Sequence, residues 1–456
     1  MVLLLLNDHI TQADFAAVHV ETTGKDPFMG KISSISIGIP QQPPIVISLS
    51  DLNADARLKQ LLSGPSIKIF CDAKTSIKFL QRNGVEVRGS LFDVDLADKL
   101  LKAGLPRRET SLAGLAQEYG VTEGTPTKTL LALNTVLRER LAQEKLDEVA
   151  ALEFETISAV AQMELTGLLL DRGRWEKAKV VAATNYARHI HPITGRLHAG
   201  YDQLGAATGR FTCKDPNVHG IPRGVRNCFV ASPGHRLIKA DYSQQEVRIV
   251  AEITKDRRMI EDISNGLDLH RHFASVILNK APADVADRER QIAKAMVFSL
   301  LYGGGAQSLQ DALQSKGIVL DLGQVRELRN QFFRRYTGFT GWYESLKRAP
   351  VREIRTLSGR RRLWTECASF PEACNTPIQG TGADILKKTL SLLPDALGDI
   401  DAKIVACVHD EILLEVAADK AEQAQRILVE AMEQAWRNFI KQVPIVIDSR
   451  ILESWE

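Results

Sequence analysis

Arg290-Gln291-Ile292-Ala293-Lys294-Ala295-Met296-Val297-Phe298-Ser299-Leu300-Leu301-Tyr302-Gly303 sets two cations and two aromatic rings four residues apart. On a helix, such residues lie one above another, so Arg290, Lys294, Phe298 and Tyr302 form a single stripe. A stripe that is cationic at its N-terminal end and aromatic at its C-terminal end is an odd surface for a core. It suits a nucleoside triphosphate, with Arg290 and Lys294 on the phosphates and Phe298 and Tyr302 against sugar and base. Standing alone, the same helix reads as a solvated basic face followed by two core aromatics.

Two further islands change that balance. Leu237-Ile238-Lys239-Ala240-Asp241-Tyr242-Ser243-Gln244-Gln245-Glu246 predicts a short strand that delivers an acid at its end, then a helix. Ile404-Val405-Ala406-Cys407-Val408-His409-Asp410-Glu411-Ile412-Leu413-Leu414-Glu415 predicts a hairpin with acids at its tip. Side by side, the two tips make an oxygen-rich site. Mg²⁺ favours one or two carboxylates plus substrate phosphates, and paired ions roughly 3.5–4 Å apart clamp both oxygens of a phosphoryl displacement. A lone Asp at a strand end is more often a turn residue or helix cap. Two acidic islands together with the stripe make that reading improbable.

The bulk properties are compatible but not suggestive. A chain of 456 residues reads as two or three domains. With 44% hydrophobic and 25% charged residues it can bury a sizeable core, and nothing in its composition suggests disorder. The formal net charge of +2 would not by itself suggest a nucleic-acid enzyme, because it averages over faces that never meet DNA. Six scattered cysteines form no C-x-x-C pair, so they read as reduced thiols of a cytosolic protein. The apolar start Val2–Leu6 is cut off by Asn7 and Asp8, too short for a signal core or a membrane span, and reads as a first strand.

Up to about Gly124, Val- and Ile-rich runs (Ala16–Val20, Ile32–Ile39, Ile45–Leu49, Ile67–Cys71) alternate with turns and helical stretches, as in an α/β domain on one sheet. From Thr127 to Leu165 the apolar spacing predicts long helices leading out of it. The second half is mixed α/β.

Taken together, the islands resemble family A DNA polymerases, the bacterial polymerase I type. Asp241–Arg248 resembles the family's motif A, Arg290–Gly303 its motif B, and His409-Asp410-Glu411 its motif C. Thr208-Gly209-Arg210 with Asp215-Pro216-Asn217 and Ile221-Pro222 resembles the template-primer segment; Gly359-Arg360-Arg361-Arg362 and Asn375–Gly380 resemble two further stretches. The match runs in order from about His191 to the last residue.

The resemblance implies an α/β and α+β multidomain chain. An RNase H-like, exonuclease-type domain over 1–140 is followed by a helical connector over 141–190, then by the palm and fingers of a right-hand polymerase over 191–456, the fingers spanning about 255–350. It implies that Asp241 and Asp410 ligate two Mg²⁺ ions, for which Mn²⁺ can substitute, with Glu411 and Lys294 also catalytic. Glu246 would exclude a ribose 2′-hydroxyl in contact with Tyr302, and Gln245 would adjoin the nucleotide site, where the family usually carries Ile. Arg210, Asn217 and Gln379 would follow the minor groove, His409 the primer end, and Arg360 and Arg361 the duplex. Implied partners are primed DNA and dNTPs, with a monomeric enzyme in the cytoplasm on nucleoid or mobile-element DNA, a processivity partner left open.

Two absences qualify the resemblance. Val18-His19-Val20-Glu21-Thr22-Thr23-Gly24 resembles the D-x-E-T-T-G opening of proofreading exonucleases with His19 for the first Asp, and Cys71–Ser76 resembles the second motif with Ser76 for its acid. The third motif is missing, so the expectation is a fold without 3′-5′ exonuclease chemistry, since hard divalent ions need several oxygen donors. Between Asp171 and Thr208 only 36 residues intervene, where the family inserts a thumb of roughly a domain's size. The expected enzyme is therefore thumbless, weakly processive and error-tolerant, able to pass lesions. The alternatives are a scaffold that binds primed DNA or a replication partner, and a residual exonuclease.

Overall fold

The computed structural model describes residues 13–106, 111–122, 124–178, 185–278 and 280–456. The strand expected at Val2–Leu6 lies outside the described residues. By packing, the chain divides into two compact units, one of residues 1–241, 386–431 and 449–456, the other of residues 242–385 and 432–448.

The first unit contains two sheets that matter. Its N-terminal sheet runs in the order Ile45–Ile47, Ile32–Gly38, Phe15–Thr22, Ile67–Phe70, Leu91–Asp93. The first three strands are antiparallel and the last two join in parallel, as in the expected exonuclease-type fold. Ala16, Ala17 and Val18 on the central strand are all buried, which is what a sheet covered on both faces requires. Cover comes partly from the two predicted helices, Pro126–Gln143 and Asp147–Thr166. On the first, Leu130, Leu133, Leu137 and Leu141 make the buried stripe. On the second, Val149, Ala150, Phe154, Ile157 and Ala161 enter the same core as Ala16 and Ile69.

The second sheet runs Ala402–Val408, Glu411–Ala417, His235–Tyr242, Ile447–Leu452. Ile404–Val408 and Ile412–Val416 are buried without alternation, so its middle is enclosed. A buried ion pair fixes the neighbouring loop: Lys387 and Glu153, each with a side chain 0% exposed, are joined, and Lys387 Nζ also donates to the Gly209 carbonyl at 2.8 Å. Gly209 takes φ 86°, the left-handed region in which a glycine is needed before Arg210.

The second unit is mainly helical: Gln245–Thr254, Arg257–Ser264, Leu269–Leu278, Asp287–Leu301, Ala306–Gln314, Leu322–Arg335 and Thr337–Ser345. Phe273, Phe332, Tyr336, Phe339 and Tyr343 supply an aromatic core, with Phe273 and Phe332 ring centres 4.9 Å apart. Among the described residues no helix is long and apolar enough to cross a membrane, and all six cysteines are free thiols.

Candidate active site

The acids fall where the strands put them. His235–Tyr242 pairs antiparallel with Glu411–Ala417 so that Asp241 lies opposite Glu411, while Val408 pairs with Glu411 across the hairpin. His409 and Asp410 are left as the two-residue turn. His409 takes φ 60°, a left-handed conformation that tight hairpin turns demand and that a non-glycine residue adopts under strain. His409 is exposed, Asp410 and Asp241 half-buried, Glu411 buried. The two tips expected from sequence are thus neighbours in one sheet.

Glu411 is the most constrained of the three. Trp455 Nε1 donates to its Oε1 at 2.6 Å, and Arg226 Nη1 lies 3.7 Å from the same oxygen. Burial raises the Glu411 pKa, opposed by Arg226 and the Trp455 hydrogen bond and assisted by Asp241. Burial likewise lowers that of Arg226, against the pull of Glu411. The donor set is all oxygen, which fits a hard divalent ion. Among the described residues no group of three or more His, Cys, Asp or Glu closes into an ion cage, and two carboxylates completed by water and substrate phosphate are a common way to hold Mg²⁺.

Beside this tip stands a residue that the sequence reading passed over. His219 Nε2 is 3.1 Å from the Cys407 carbonyl, and its ring centre is 5.6 Å from that of His409. Burial, with repulsion from His409, pushes its pKa down to about 4. Asn217 caps this turn, its Oδ1 accepting from the His219 backbone N–H at 3.1 Å.

In the second unit the stripe is formed, with one adjustment. The helix ends at Leu301, and Tyr302 is the residue closing it. Gly303 takes φ 80°, and a Cβ there would meet Phe370 and Cys374, so the chain turns at once. The stripe survives: Lys294 Nζ lies 5.5 Å from the Phe298 ring centre, and the Phe298 and Tyr302 rings are 6.0 Å apart at 22°. Arg290 Nε donates to Asp268 Oδ2 at 2.6 Å.

His270, two residues after Asp268, is a second residue missed. It is 0% exposed on the Leu269–Leu278 helix, with its ring 5.7 Å from Phe298, and neither ring nitrogen has a partner among the described residues. Burial drives its pKa down to about 4, with Lys294 and Arg290 pushing the same way and Asp268 opposing. A neutral buried imidazole retains one N–H donor, and buried donors are rarely left unpaired. The only sequence signal was the pair Asp268 and His270 ahead of the stripe.

Several expected contacts are placed elsewhere. Gln245 is 5% exposed, and its Oε1 is 2.7 Å from where a Cβ on Gly382 would fall, so its side chain packs against that glycine. Its Nε2 has no partner among the described residues. Glu246, beside it in the first helical turn, is half-buried. Arg360 is not a DNA-facing cation: it is 4% exposed and bound to Asp384, itself 0% exposed, with Nε to Oδ1 at 2.7 Å. Thr356 and Ser358 hydroxyls donate to the other oxygen. Arg361 is also buried. Gln379 and Arg210 are half-buried, Gln379 on the Phe370–Leu397 helix and Arg210 on the loop after Gly209.

The residues of the exonuclease-like motifs make contacts within the fold. Glu21 Oε2 accepts from Ser34 Oγ at 2.7 Å, with His19 at 3.9 Å from the other oxygen. Asp72 caps a helix by accepting from the Thr75 N–H, and Lys74 reaches Glu164 at 2.7 Å. Asp93, a buried acid outside those motifs, accepts three backbone N–H groups, and burial raises its pKa to about 7.

With the geometry in view, comparison with known proteins is consistent. Residues 124–456 match DNA polymerase family A, and residues 18–127 match the ribonuclease H-like domain of DNA polymerase I. DNA polymerase I of Aquifex aeolicus is 32% identical over 420 residues, 89% of this chain and 72% of that protein. The Pseudomonas aeruginosa enzyme is 31% identical over 405 residues, 83% of this chain but 42% of that protein, so the chain spans under half its length. The POL domain of Pol1 from M. smegmatis, solved in complex with DNA primer-template and dNTP, shares the fold at a TM-score of 0.84, with 23% identity over 98% of this chain and 97% of that one. The matched span, the order of the motifs and the sheet that sets Asp241 opposite Glu411 lead to one conclusion: the chain belongs to DNA polymerase family A, the DNA-directed DNA polymerases.

Proposed function

We propose that this chain extends a primer 3′ end with template-selected deoxynucleotides using two Mg²⁺ ions held chiefly by Asp241 and Asp410. Members of the family use divalent ions. When bound, such ions neutralise the charge developing on the transferred phosphoryl group and align the attacking and leaving oxygens. The protein's own groups do the rest. Arg290 and Lys294 take the β- and γ-phosphates, and Phe298 and Tyr302 stack on sugar and base. Glu246 fills the space a 2′-hydroxyl would need. Arg210, Asn217, Gln379 and His409 follow the duplex.

The observation that carries this reading is the register placing Asp241 opposite Glu411 at a hairpin turn containing Asp410, in a chain that also forms the Arg290–Tyr302 stripe. We further infer that proofreading is absent, since His19 and Ser76 stand where the motifs carry acids and Glu21 and Asp72 are engaged in hydrogen bonds within the fold. The short connection from Asp171 to Thr208 supports a thumbless enzyme of low processivity and tolerance for damaged templates, working as a monomer in a reducing cytoplasm that the six free thiols suit.

The test is primer extension by the purified protein with Mg²⁺ or Mn²⁺, comparing dNTPs with NTPs, damaged with intact templates, and single-encounter product lengths. Extension confined to dNTPs, in short products, is expected. A folded protein that extends no template would be a primed-DNA scaffold instead.

A further inference from the structure

The segment bearing Trp455 is stitched beside residues 229–231: Trp455 N–H donates to the Phe229 carbonyl at 2.8 Å, and Ala231 N–H to that of Glu453 at 3.0 Å. The Phe229 and Trp455 rings meet edge to face at 5.8 Å and 72°. Arg226, three residues before Phe229, is thereby brought against the indole, its guanidinium carbon 4.4 Å from the ring centre. Trp455 is 0% exposed and Glu411 8% exposed. Both partners address one atom: Oε1 of Glu411 accepts from Trp455 Nε1 and lies beside Arg226 Nη1.

We propose that Trp455 and Arg226 are positioning residues for Glu411, fixing Oε1 inside the protein so that Oε2 remains as its oxygen for divalent ions at Asp241 and Asp410. The proposal rests on the metal reading above. A glutamate beside two aspartates would otherwise be drawn between rotamers by ion binding and repelled by its neighbours. A carboxylate already held by a donor is preorganised, so ion binding need not order it. The Arg226 cation offsets one of three clustered negative charges, and its stacking on Trp455 keeps the guanidinium from swinging to solvent. Partners of metal-site ligands commonly change ion affinity by about 10- to 100-fold.

The experiment reads ion binding without turnover. Full-length protein is saturated with a dideoxy-terminated primer-template and the next dNTP, and free Mn²⁺ is followed by electron paramagnetic resonance. Trp455→Phe keeps an aromatic ring but removes the N–H. It is expected to weaken Mn²⁺ binding about tenfold while leaving primer-template affinity, read by anisotropy, unchanged. In a Glu411→Ala background, Trp455→Phe is expected to add nothing. Arg226→Gln, at a less enclosed side chain, provides the same reading if Trp455→Phe fails to fold. Unchanged Mn²⁺ affinity in both variants, or a full-sized Trp455→Phe effect without the Glu411 carboxylate, overturns the proposal. Asp410→Asn separates the two levels. If it weakens Mn²⁺ binding and the positioning variants do not, only the positioning role falls; if it has no effect, the metal reading falls with it.

Discussion

Asp241 and Glu411 are directly opposed across two antiparallel strands, with Asp410 one residue away in the turn. A register slip of one residue would turn Asp241 to the other face of the sheet. The buried strands on either side hold that register, so substituting the acids should disturb chemistry more than folding. Asp241→Asn and Asp410→Asn are each expected to lower nucleotide addition by about a thousandfold or more, because a neutral amide replaces several kcal/mol of charge stabilisation. Near-normal single-turnover extension by either variant, with an unchanged melting temperature, would remove that residue from the metal site.

Arg290 is held by Asp268 at 2.6 Å, and Lys294 lies over Phe298. Both are half-buried, which leaves them within reach of the anion that the proposed function assigns them. Arg290→Ala and Lys294→Ala should reduce kcat/KM for dNTP by roughly 10²-fold or more, as loss of charge-assisted contacts to a triphosphate implies. Primer-template affinity should barely change. Equal loss of both would identify the stripe as a DNA surface.

Most of the architecture was legible because it depends on local patterns: Val- and Ile-rich runs made the N-terminal strands, and three- and four-residue spacing made the two long helices. The acids and the stripe were legible because each is compact in sequence. What was missed depends on distant partners. The run Arg360–Arg362 reads as a basic surface until Asp384 is seen beneath it. Trp455 and Arg226 carry no signal until the fold stitches them together. His270 is one histidine among ten, distinguished by complete burial with ring nitrogens that have no partner among the described residues. Gln245 stands out in the sequence because the resembling family usually carries Ile there, and only the fold shows that the helical turn carries it inward to Gly382.

His270 makes a pH prediction. Its folded-state pKa, about 4, lies below the 6.5 of an exposed imidazole, so the unfolded state binds more protons between these values. Stability is therefore full above pH 6.5 and falls as pH drops toward 4, by up to about 1.4 kcal/mol per unit for this group. His270→Gln should flatten that part of the denaturation profile, leaving the contribution of His219, which shifts the same way. A variant with an identical acid profile would show that His270 is charged or solvated in the native state.

Arg360→Ala tests the reassignment of that residue from DNA to the core. Removing one partner from a buried pair leaves the Asp384 carboxylate without its cation, an effect of about 3–5 kcal/mol. Thr356 and Ser358 still donate to it, which favours the lower end. The expected result is a clear drop in melting temperature with unchanged DNA affinity per folded molecule. Weakened DNA binding in a protein of normal stability would return Arg360 to the DNA surface.

The N-terminal domain poses the last question, whether it grips DNA or supports the fold around Glu164. Glu164 is 5% exposed and takes ion pairs from both Lys74 and Lys78, and a third tie is the Tyr201 N–H at 2.8 Å. Burial would raise its pKa, but the two ammonium groups overcome that and hold it below the ordinary value. A depressed carboxylate pKa contributes stability above the unfolded-state value that is lost as pH falls through the folded one. Lys74→Met with Lys78→Met should therefore destabilise the protein by about 3–5 kcal/mol and remove this acid-sensitive contribution, whereas adding Glu164→Gln should recover part of the loss. For the same reason, deleting residues 1–140 should yield insoluble protein: it strips both lysines from Glu164 and the sheet from Phe154, Ile157 and Ala161. A truncated chain that folds with native stability but binds primed DNA weakly would show that the domain serves DNA grip and not support.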